Sequence, residues 1–123
     1  MPTAGTASEP RITVVLTTFD REEKAAEVAQ QLVRERWAAC GTCIPGARSF
    51  YVWQGKLEES TEVLLLLKTT ADRASGLAQR LRTLHPYAVP EIVAGDAIAL
   101  NGAYAAWVHE AVGTDAPGGA DGP

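Results

Sequence analysis

The run Val63-Leu64-Leu65-Leu66-Leu67 is the feature that most limits the folds open to this chain. Successive side chains of a strand point to opposite faces of the sheet, so this run places apolar side chains on both faces. A strand with one solvated face would alternate apolar with polar residues instead. The run therefore predicts a strand that is covered on both sides.

The apolar periodicity predicts the element order βαββαβ followed by a terminal helix. The predicted strands cover residues 12–18, 38–53 with a break around Pro45-Gly46, 61–68 and 91–100, and the predicted long helices cover residues 21–36 and 71–84. Asp20 and Glu23 have the spacing of a capping box. Gln54-Gly55-Lys56 marks a hairpin turn.

The terminal helix is predicted to start at Asn101, whose side chain is a good N-cap. At helical spacing this segment would present four residues on one face: Tyr104, Trp107, Val108 and Ala111. Right-handed crossovers bring the four strands into one antiparallel sheet with both long helices on one side. The predicted fold is therefore an α+β, ferredoxin-like sandwich with an extended central hairpin and a C-terminal helix.

One face of this predicted sheet has no cover, because the terminal helix is too short to span four strands. Leaving the apolar side chains of this face exposed would cost about 1.5 to 3 kcal/mol for each fully uncovered residue. The hairpin is also long, and its edges could pair with another chain. We therefore expect a symmetric oligomer.

Length and composition set the remaining limits. The 123 residues have room for one domain, which we expect at residues 11–112, between disordered tails at residues 1–10 and 113–123 that are rich in Pro, Gly and Ala. The net charge of -4 argues against a nucleic-acid partner. No apolar run approaches the roughly 20 residues of a membrane helix. Without a signal-peptide pattern at the N-terminus, we expect a cytoplasmic protein.

Cys40 and Cys43 have the spacing of redox and zinc motifs. They lie in a predicted strand, however, where residues three apart point to opposite faces. No second CxxC or histidine pair accompanies them, so they can also be read as small buried apolar residues.

His85 and Glu91 flank a loop with two prolines, and Tyr87 lies between them. His85 could simply cap the preceding helix, or it could bind a ligand or handle protons. Tyr87 and Glu91 could complete a polar cluster with it. His109 lies on the terminal helix, where a solvent-facing role is the simpler interpretation.

Trp53 lies at the predicted hairpin tip, as an anchor in a neighbouring subunit or as the lip of a pocket; we favour the anchor. Lys68 ends the aliphatic strand and could meet an anionic ligand or serve as a surface group. The sequence contains no Ser/His/Asp set, Gly-rich phosphate loop, HExxH motif or paired catalytic carboxylates. We therefore do not expect an enzyme.

Several stretches resemble the CutA divalent-cation tolerance family, and they span nearly the whole predicted domain. They are Ala38-Ala39-Cys40, Ile44-Pro45-Gly46, Ser49 to Trp53 with Gly55 to Glu59, Glu62 to Thr69, His85-Pro86-Tyr87 with Val89 to Ile92, and Tyr104 with Trp107. The resemblance implies a ferredoxin-like homotrimer related in architecture to PII signalling proteins. It also implies a role in tolerance of copper and other divalent cations, with no required cofactor.

The resemblance further implies a metal-ligand set of Cys40, His85 and Glu91, in which Cu(I) would prefer the thiolate and Cu(II) the imidazole with oxygen. The sequence departs from the family at two positions. Ala88 stands where the family usually has a glutamate, which removes a possible ligand oxygen. Cys43 stands where the family usually has a residue without a thiol, so the CxxC pair is not read as the family's site.

Two functional hypotheses remain. In the first, a metal-responsive trimer collects His85, Tyr87 and Glu91 of one chain, with Lys68 as a further candidate, against Trp53 of another in an inter-subunit cleft. In the second, a PII-like signalling or scaffold trimer binds a small anion or a partner protein in such clefts. An RNA-recognition domain is set aside because residues 12–18 and 61–70 carry no aromatic side chain for base stacking. An acylphosphatase-like enzyme is set aside because Asp20 replaces the required arginine.

Overall fold

The computed structural model of the chain describes residues 11–98, 101–114 and 117. In chain order the elements are β1 (Ile12–Phe19), α1 (Glu22–Arg34), β2 (Cys40–Trp53), β3 (Lys56–Thr70), α2 (Ala71–Leu84), β4 (Ile92–Asp96) and α3 (Gly102–Val112). The predicted N-terminal tail, most of the predicted C-terminal tail and the end of the predicted fourth strand, Ala99-Leu100, lie outside the described residues. Among the described helices, none has the length and apolar character to cross a membrane.

The four strands form one sheet in the order β2-β3-β1-β4, and every neighbouring pair is antiparallel. This is the strand order of a ferredoxin-like βαββαβ fold, so the predicted fold class is confirmed. Helices α1 and α2 pack on one face of the sheet. The core between these layers contains Val15, Phe19, Val63, Leu65 and Leu67 from the sheet, Ala25, Val28, Ala29 and Leu32 from α1, Leu77 and Leu81 from α2, and Ala38.

The opposite face of the sheet, which we call the open face, carries the alternate residues of the same strands: Val14, Leu16, Leu64, Leu66 and Val93. Helix α3 covers one end of it, where Ala105, Val108 and Val112 pack with Ile12 and Ala39. The open-face residues stay partly or largely exposed in the single chain. The predicted cover of β3 on both sides is complete on the helix face, whereas in the single chain α3 covers only part of the second face.

The long β2–β3 hairpin has one irregularity and one tight turn. Ile44 pairs with Leu64 and Ala47 with Glu62, so β2 gains one residue at the predicted break around Pro45-Gly46. Gln54 and Gly55 both have positive φ, 51° and 78°, as a two-residue type I′ turn requires. Residues 47–62 form what we call the outer hairpin. It exposes a series of large apolar side chains: Phe50, Tyr51, Val52, Trp53 and Leu57.

Three sequence predictions about element ends are corrected. Strand β3 begins at Lys56 and not at residue 61, because pairing with β2 extends the strand through a polar segment without apolar alternation. The predicted Asp20–Glu23 capping box does not form: Arg21 is the N-cap residue of α1, and no side chain caps this helix. Asp20 therefore lies one residue before the N-cap position that a capping box requires. Strand β4 is shorter than predicted and ends at Asp96.

The N-cap of α3 is confirmed, since Asn101 Oδ1 accepts hydrogen bonds from the backbone N–H groups of Ala103 and Tyr104 at 2.9 and 3.1 Å. The predicted packing face is only partly correct. Val108 is buried, but its buried companions are Ala105 and Val112, whereas Tyr104 and Trp107 lie on the exposed side. The spacing of Tyr104 and Trp107 therefore indicates a face of α3 that is left exposed in this chain.

Candidate functional site

The loop of residues 85–91 connects α2 to β4 and lies at the end of β1. Helix α2 stops at Leu84 because Pro86 disfavours helical backbone at the preceding residue. His85 then adopts an extended conformation while its backbone N–H still donates to the carbonyl of Leu81 at 2.9 Å. This change of backbone direction turns the His85 ring toward the interior of the protein.

The His85 ring is 7% exposed and lies parallel to Phe19, with ring centroids 4.2 Å apart and planes 11° apart. Its Nε2 atom lies 2.8 Å from the carbonyl oxygen of Thr18, and its Nδ1 atom lies 3.2 Å from the backbone nitrogen of Tyr87. The Tyr87 N–H can only donate, so Nδ1 accepts and Nε2 carries the proton that is donated to Thr18. The contacts thus assign one neutral tautomer.

Electrostatics agree with this neutral form. Burial lowers the pKa of His85, while the hydrogen bond to the Thr18 carbonyl and the charge of Asp20 oppose that shift. A charged imidazole would also carry a proton on Nδ1, where it would face the donor N–H of Tyr87. The neutral ring is therefore the form that fits its surroundings.

A surface pocket of about 530 Å³ lies between this loop and the outer hairpin. Its lining residues are Thr18, Ser49, Phe50, Tyr51, Ser60, Glu62, Tyr87, Val89 and Glu91, and we call it the acidic pocket. Two of these residues are carboxylates, and none of the described lining residues is a lysine or arginine. Burial raises the pKa of Tyr87, and the charges of Asp20 and Glu62 add to the shift. The pocket is therefore negative and suits a cation.

Cys40 lies at the other end of the sheet from this pocket. It pairs with Lys68 on β3, whereas Phe19, which stacks on His85, pairs with Val63. Val63 and Lys68 are five positions apart on β3, a separation of about 17 Å. Within one chain the structure brings Glu91 and Tyr87 to one pocket, with His85 at the base of the same loop, and leaves Cys40 elsewhere.

The two cysteines are free and do not face each other. Cys43 packs against the helix-covered core, and burial raises its thiol pKa. Cys40 lies on the open face, where its sulfur is 4.0 Å from Thr42 Oγ1. As the strand geometry predicts, the two thiols are not placed to chelate one ion.

The other predicted cleft residues also lie apart from the acidic pocket. Lys68 donates a hydrogen bond to Thr42 Oγ1 at 2.8 Å, beside Cys40. Trp53 lies at the hairpin tip and is 62% exposed. Among the residues that the structure describes, no three His, Cys, Asp or Glu side chains gather to hold a metal ion. The set Cys40, His85 and Glu91 stays a prediction that would need more than one copy of the chain.

Sequence reasoning missed the floor of the acidic pocket, which includes Ser49, Tyr51, Ser60 and Glu62. One signal was available for Glu62, since it lies two residues before Leu64 and so shares the open face with it. The contribution of β2 was not readable, because the extra residue near Pro45-Gly46 changes which side chains of the outer hairpin share that face.

Comparison with known proteins gives a consistent result. The family model described as "CutA1 divalent ion tolerance protein" matches residues 13–111. The divalent-cation tolerance protein CutA of Thermus thermophilus is 47% identical over 100 residues, covering 81% of this chain and 97% of that protein.

Solved structures show the same likeness. A CutA1 structure from Ehrlichia chaffeensis is similar with a TM-score of 0.81 and 27% identity, covering 87% of this chain and all of that one. The structure of a protein described as the periplasmic divalent cation tolerance protein CutA, from Archaeoglobus fulgidus, is similar with a TM-score of 0.77 and 26% identity, covering 83% and 99%.

Proposed function

Because this chain belongs to the CutA1 divalent ion tolerance protein family, we propose that it is a metal-responsive binding protein whose acidic pocket takes a divalent cation. The role proposed is binding and not catalysis. One observation carries the proposal: Glu62 and Glu91 both line a pocket whose described lining includes no lysine or arginine.

The donors that the pocket offers indicate the class of cation. Besides the two carboxylates, the lining supplies hydroxyl groups of Thr18, Ser49 and Ser60 and the phenol groups of Tyr51 and Tyr87. Oxygen ligands suit hard divalent cations, and they also accept Cu(II). Cu(I) prefers thiolates, and Cys40 lies at the opposite end of the sheet. We therefore place Cu(II) or another divalent cation in the pocket, and not Cu(I).

Calorimetric titration tests this assignment. Zn²⁺ and Cu²⁺ should bind the wild-type protein, and Glu62→Gln or Glu91→Gln should weaken binding by about tenfold or more, because each removes a charged ligand. Glu110→Gln on α3 is the matched control, since this exposed carboxylate lies outside the pocket. Equal affinities of all four proteins would overturn the proposal.

The same observation separates the two functional hypotheses. A small anion would meet Glu62 and Glu91 in this pocket, and Asp20 raises the pKa of Tyr87 from nearby. Like charges repel at short range. The PII-like alternative of an anion site is therefore disfavoured at this pocket.

We further propose that the chain assembles as a homotrimer. The open face and the outer hairpin both leave apolar side chains exposed, and such surfaces are typical of interfaces. Trp53 is the proposed anchor, because large aromatic side chains dominate interface energetics. Tyr87 and Glu91 of one copy could then face the hairpin of the next.

Sedimentation velocity tests the assembly. The wild-type protein should sediment at about three times the monomer mass of 13.0 kDa at micromolar concentration. Trp53→Ala should raise the dissociation constant by about 30-fold, which corresponds to about 2 kcal/mol. Val33→Ala, which changes an exposed apolar side chain on α1 outside both surfaces, is the control. A wild-type monomer would contradict the proposal.

We propose a cytoplasmic location. Both cysteines in the described chain are free thiols, which is typical of a reducing compartment. The similar protein of Archaeoglobus fulgidus is described as periplasmic. Cell fractionation with a tagged full-length chain decides between the two locations.

A further inference from the structure

We infer that His85 is a positioning residue: its neutral imidazole fixes the loop that carries Tyr87 and Glu91, and it does not bind the cation. The inference rests on the proposed function for the identity of the pocket's ligand. Its structural part stands on the contacts of the ring alone.

Both ring nitrogens are already used within the chain. Nε2 donates to the Thr18 carbonyl at 2.8 Å, and Nδ1 accepts from the Tyr87 N–H at 3.2 Å. A metal ion binds to a lone pair of a ring nitrogen. In this tautomer only Nδ1 has such a lone pair, and it already accepts the hydrogen bond from the Tyr87 N–H. Coordination would therefore leave the part-buried Tyr87 donor without this partner, which costs free energy.

The ring is also enclosed by other rings. Phe19 stacks on it at 4.2 Å, and the Tyr87 ring lies 4.7 Å away, tilted by 58°. Phe19 itself belongs to the core beneath the helices. A movement of the imidazole toward the pocket would open this core, so the enclosure holds the ring where it is.

The contacts of the His85 ring fix the position of the loop that lines the pocket. The bond from Tyr87 to Nδ1 fixes the backbone two residues after His85, at the point where the loop turns toward the pocket wall. Pro86 and Pro90 have no N–H to donate, so few backbone donors are available to hold this loop. His85 ties it to the carbonyl end of β1 through Thr18. The loop position, and with it Glu91, thus depends on the imidazole.

Long-range ¹H–¹⁵N NMR of the histidine rings tests the inference directly. In a His109→Gln background, where His85 is the remaining histidine, the spectrum should show the neutral tautomer with a proton on Nε2. The ring nitrogen shifts should not change when Zn²⁺ is added to saturation. A large shift of either ring nitrogen on Zn²⁺ binding would overturn the inference.

Two substitutions separate a positioning role from a ligand role. His85→Asn keeps an acceptor near the place of Nδ1, whereas His85→Gln keeps a donor near the place of Nε2. We expect the Tyr87 amide to stay protected from hydrogen exchange in His85→Asn and to exchange about tenfold faster in His85→Gln. Zn²⁺ affinity should follow this protection, with a loss of about tenfold only in His85→Gln.

An equal loss of Zn²⁺ affinity in both variants, with the Tyr87 amide still protected in His85→Asn, would show that His85 is a ligand. If the wild-type protein binds no Zn²⁺ or Cu²⁺, the proposed function fails, while the tautomer and the Tyr87 exchange still decide the positioning role. Loss of Tyr87 protection in His85→Asn, or equal protection in the two variants, would contradict that role.

Discussion

The two ends of strand β3 differ in both pairing and packing. Its C-terminal end lies between β2 and β1 and packs against the helix layer, where Leu67 is 0% exposed. Its N-terminal end pairs only with β2 in the outer hairpin, where Leu57 is 75% exposed. Pairing with β2 continues through both ends, so this pairing alone does not bury the apolar side chains of a strand. The difference teaches that the chain buries its own apolar side chains where helices reach the sheet and leaves those of the outer hairpin exposed.

The largest predicted effect compares two leucines of the same strand. Leu67→Ala should reduce the free energy of unfolding by about 2 to 5 kcal/mol, because it leaves a cavity in the core. Leu57→Ala should change the stability of a single chain by less than about 0.5 kcal/mol. Denaturant titration at low protein concentration measures both. A similar loss in the two variants would remove the distinction between the regions.

The next effect probes how tightly the helix layer is packed. A Cβ atom at Gly76 on α2 would clash with Cζ3 of the Trp37 ring, so Gly76→Ala should cost about 1 to 3 kcal/mol through overpacking. Gly95→Ala on the edge strand β4 is the control, since its new Cβ atom would meet nothing within 4 Å. Thermal unfolding of both variants checks the prediction, and an unaffected Gly76→Ala protein would contradict it.

A smaller effect concerns the helix that covers one end of the open face. Asn101→Ala removes the side-chain bonds to the Ala103 and Tyr104 N–H groups and should cost about 1 kcal/mol. Asn101→Asp keeps an acceptor and should retain most of the stability. Hydrogen exchange of α3 amides should report the loss first in this helix. Faster exchange throughout α1 as well would show that α3 does not unfold independently.

The smallest effect lies at the boundary between the two regions, at His85. Burial lowers its pKa in the folded protein, so its stabilising contribution is complete above the ordinary value of about 6.5 and is lost as the pH falls through the folded value. The unfolding free energy of wild type should therefore decline between about pH 7.5 and pH 5 more than that of His85→Asn. His109→Asn should decline like wild type. Parallel curves for all three proteins would contradict the prediction.

The sequence predicts the packed region more fully than the outer hairpin. Helix α2 begins and ends where its periodicity and Pro86 indicate, and the strand order follows from the crossover rule. Strand β3 starts earlier than predicted because its pairing partner, and not its own pattern, extends it. Local signals describe a segment best when its own chain buries it.

For the site, the sequence identifies the loop with His85, Tyr87 and Glu91 but not what lies opposite. The shifted hairpin register brings Ser49 and Tyr51 of β2 to the pocket, and no spacing in the sequence shows that register. The hydrogen bonds of the His85 ring cannot be predicted from the sequence either, because they depend on the position of Thr18 in the folded chain. Residue types indicate possible ligands, and only packing shows which of them are already engaged.

The inserted residue between Ile44 and Ala47 decides which side chains of the outer hairpin share the open face with Leu64. Before it, the even-numbered residues of β2 share a face with Leu64, and after it the odd-numbered ones do, including Tyr51 and Trp53. Deleting either Pro45 or Gly46 would restore strict alternation and turn Phe50 and Val52 to that side instead. Which side chains of β2 face a bound ion or a neighbouring copy thus depends on the presence of this one extra residue.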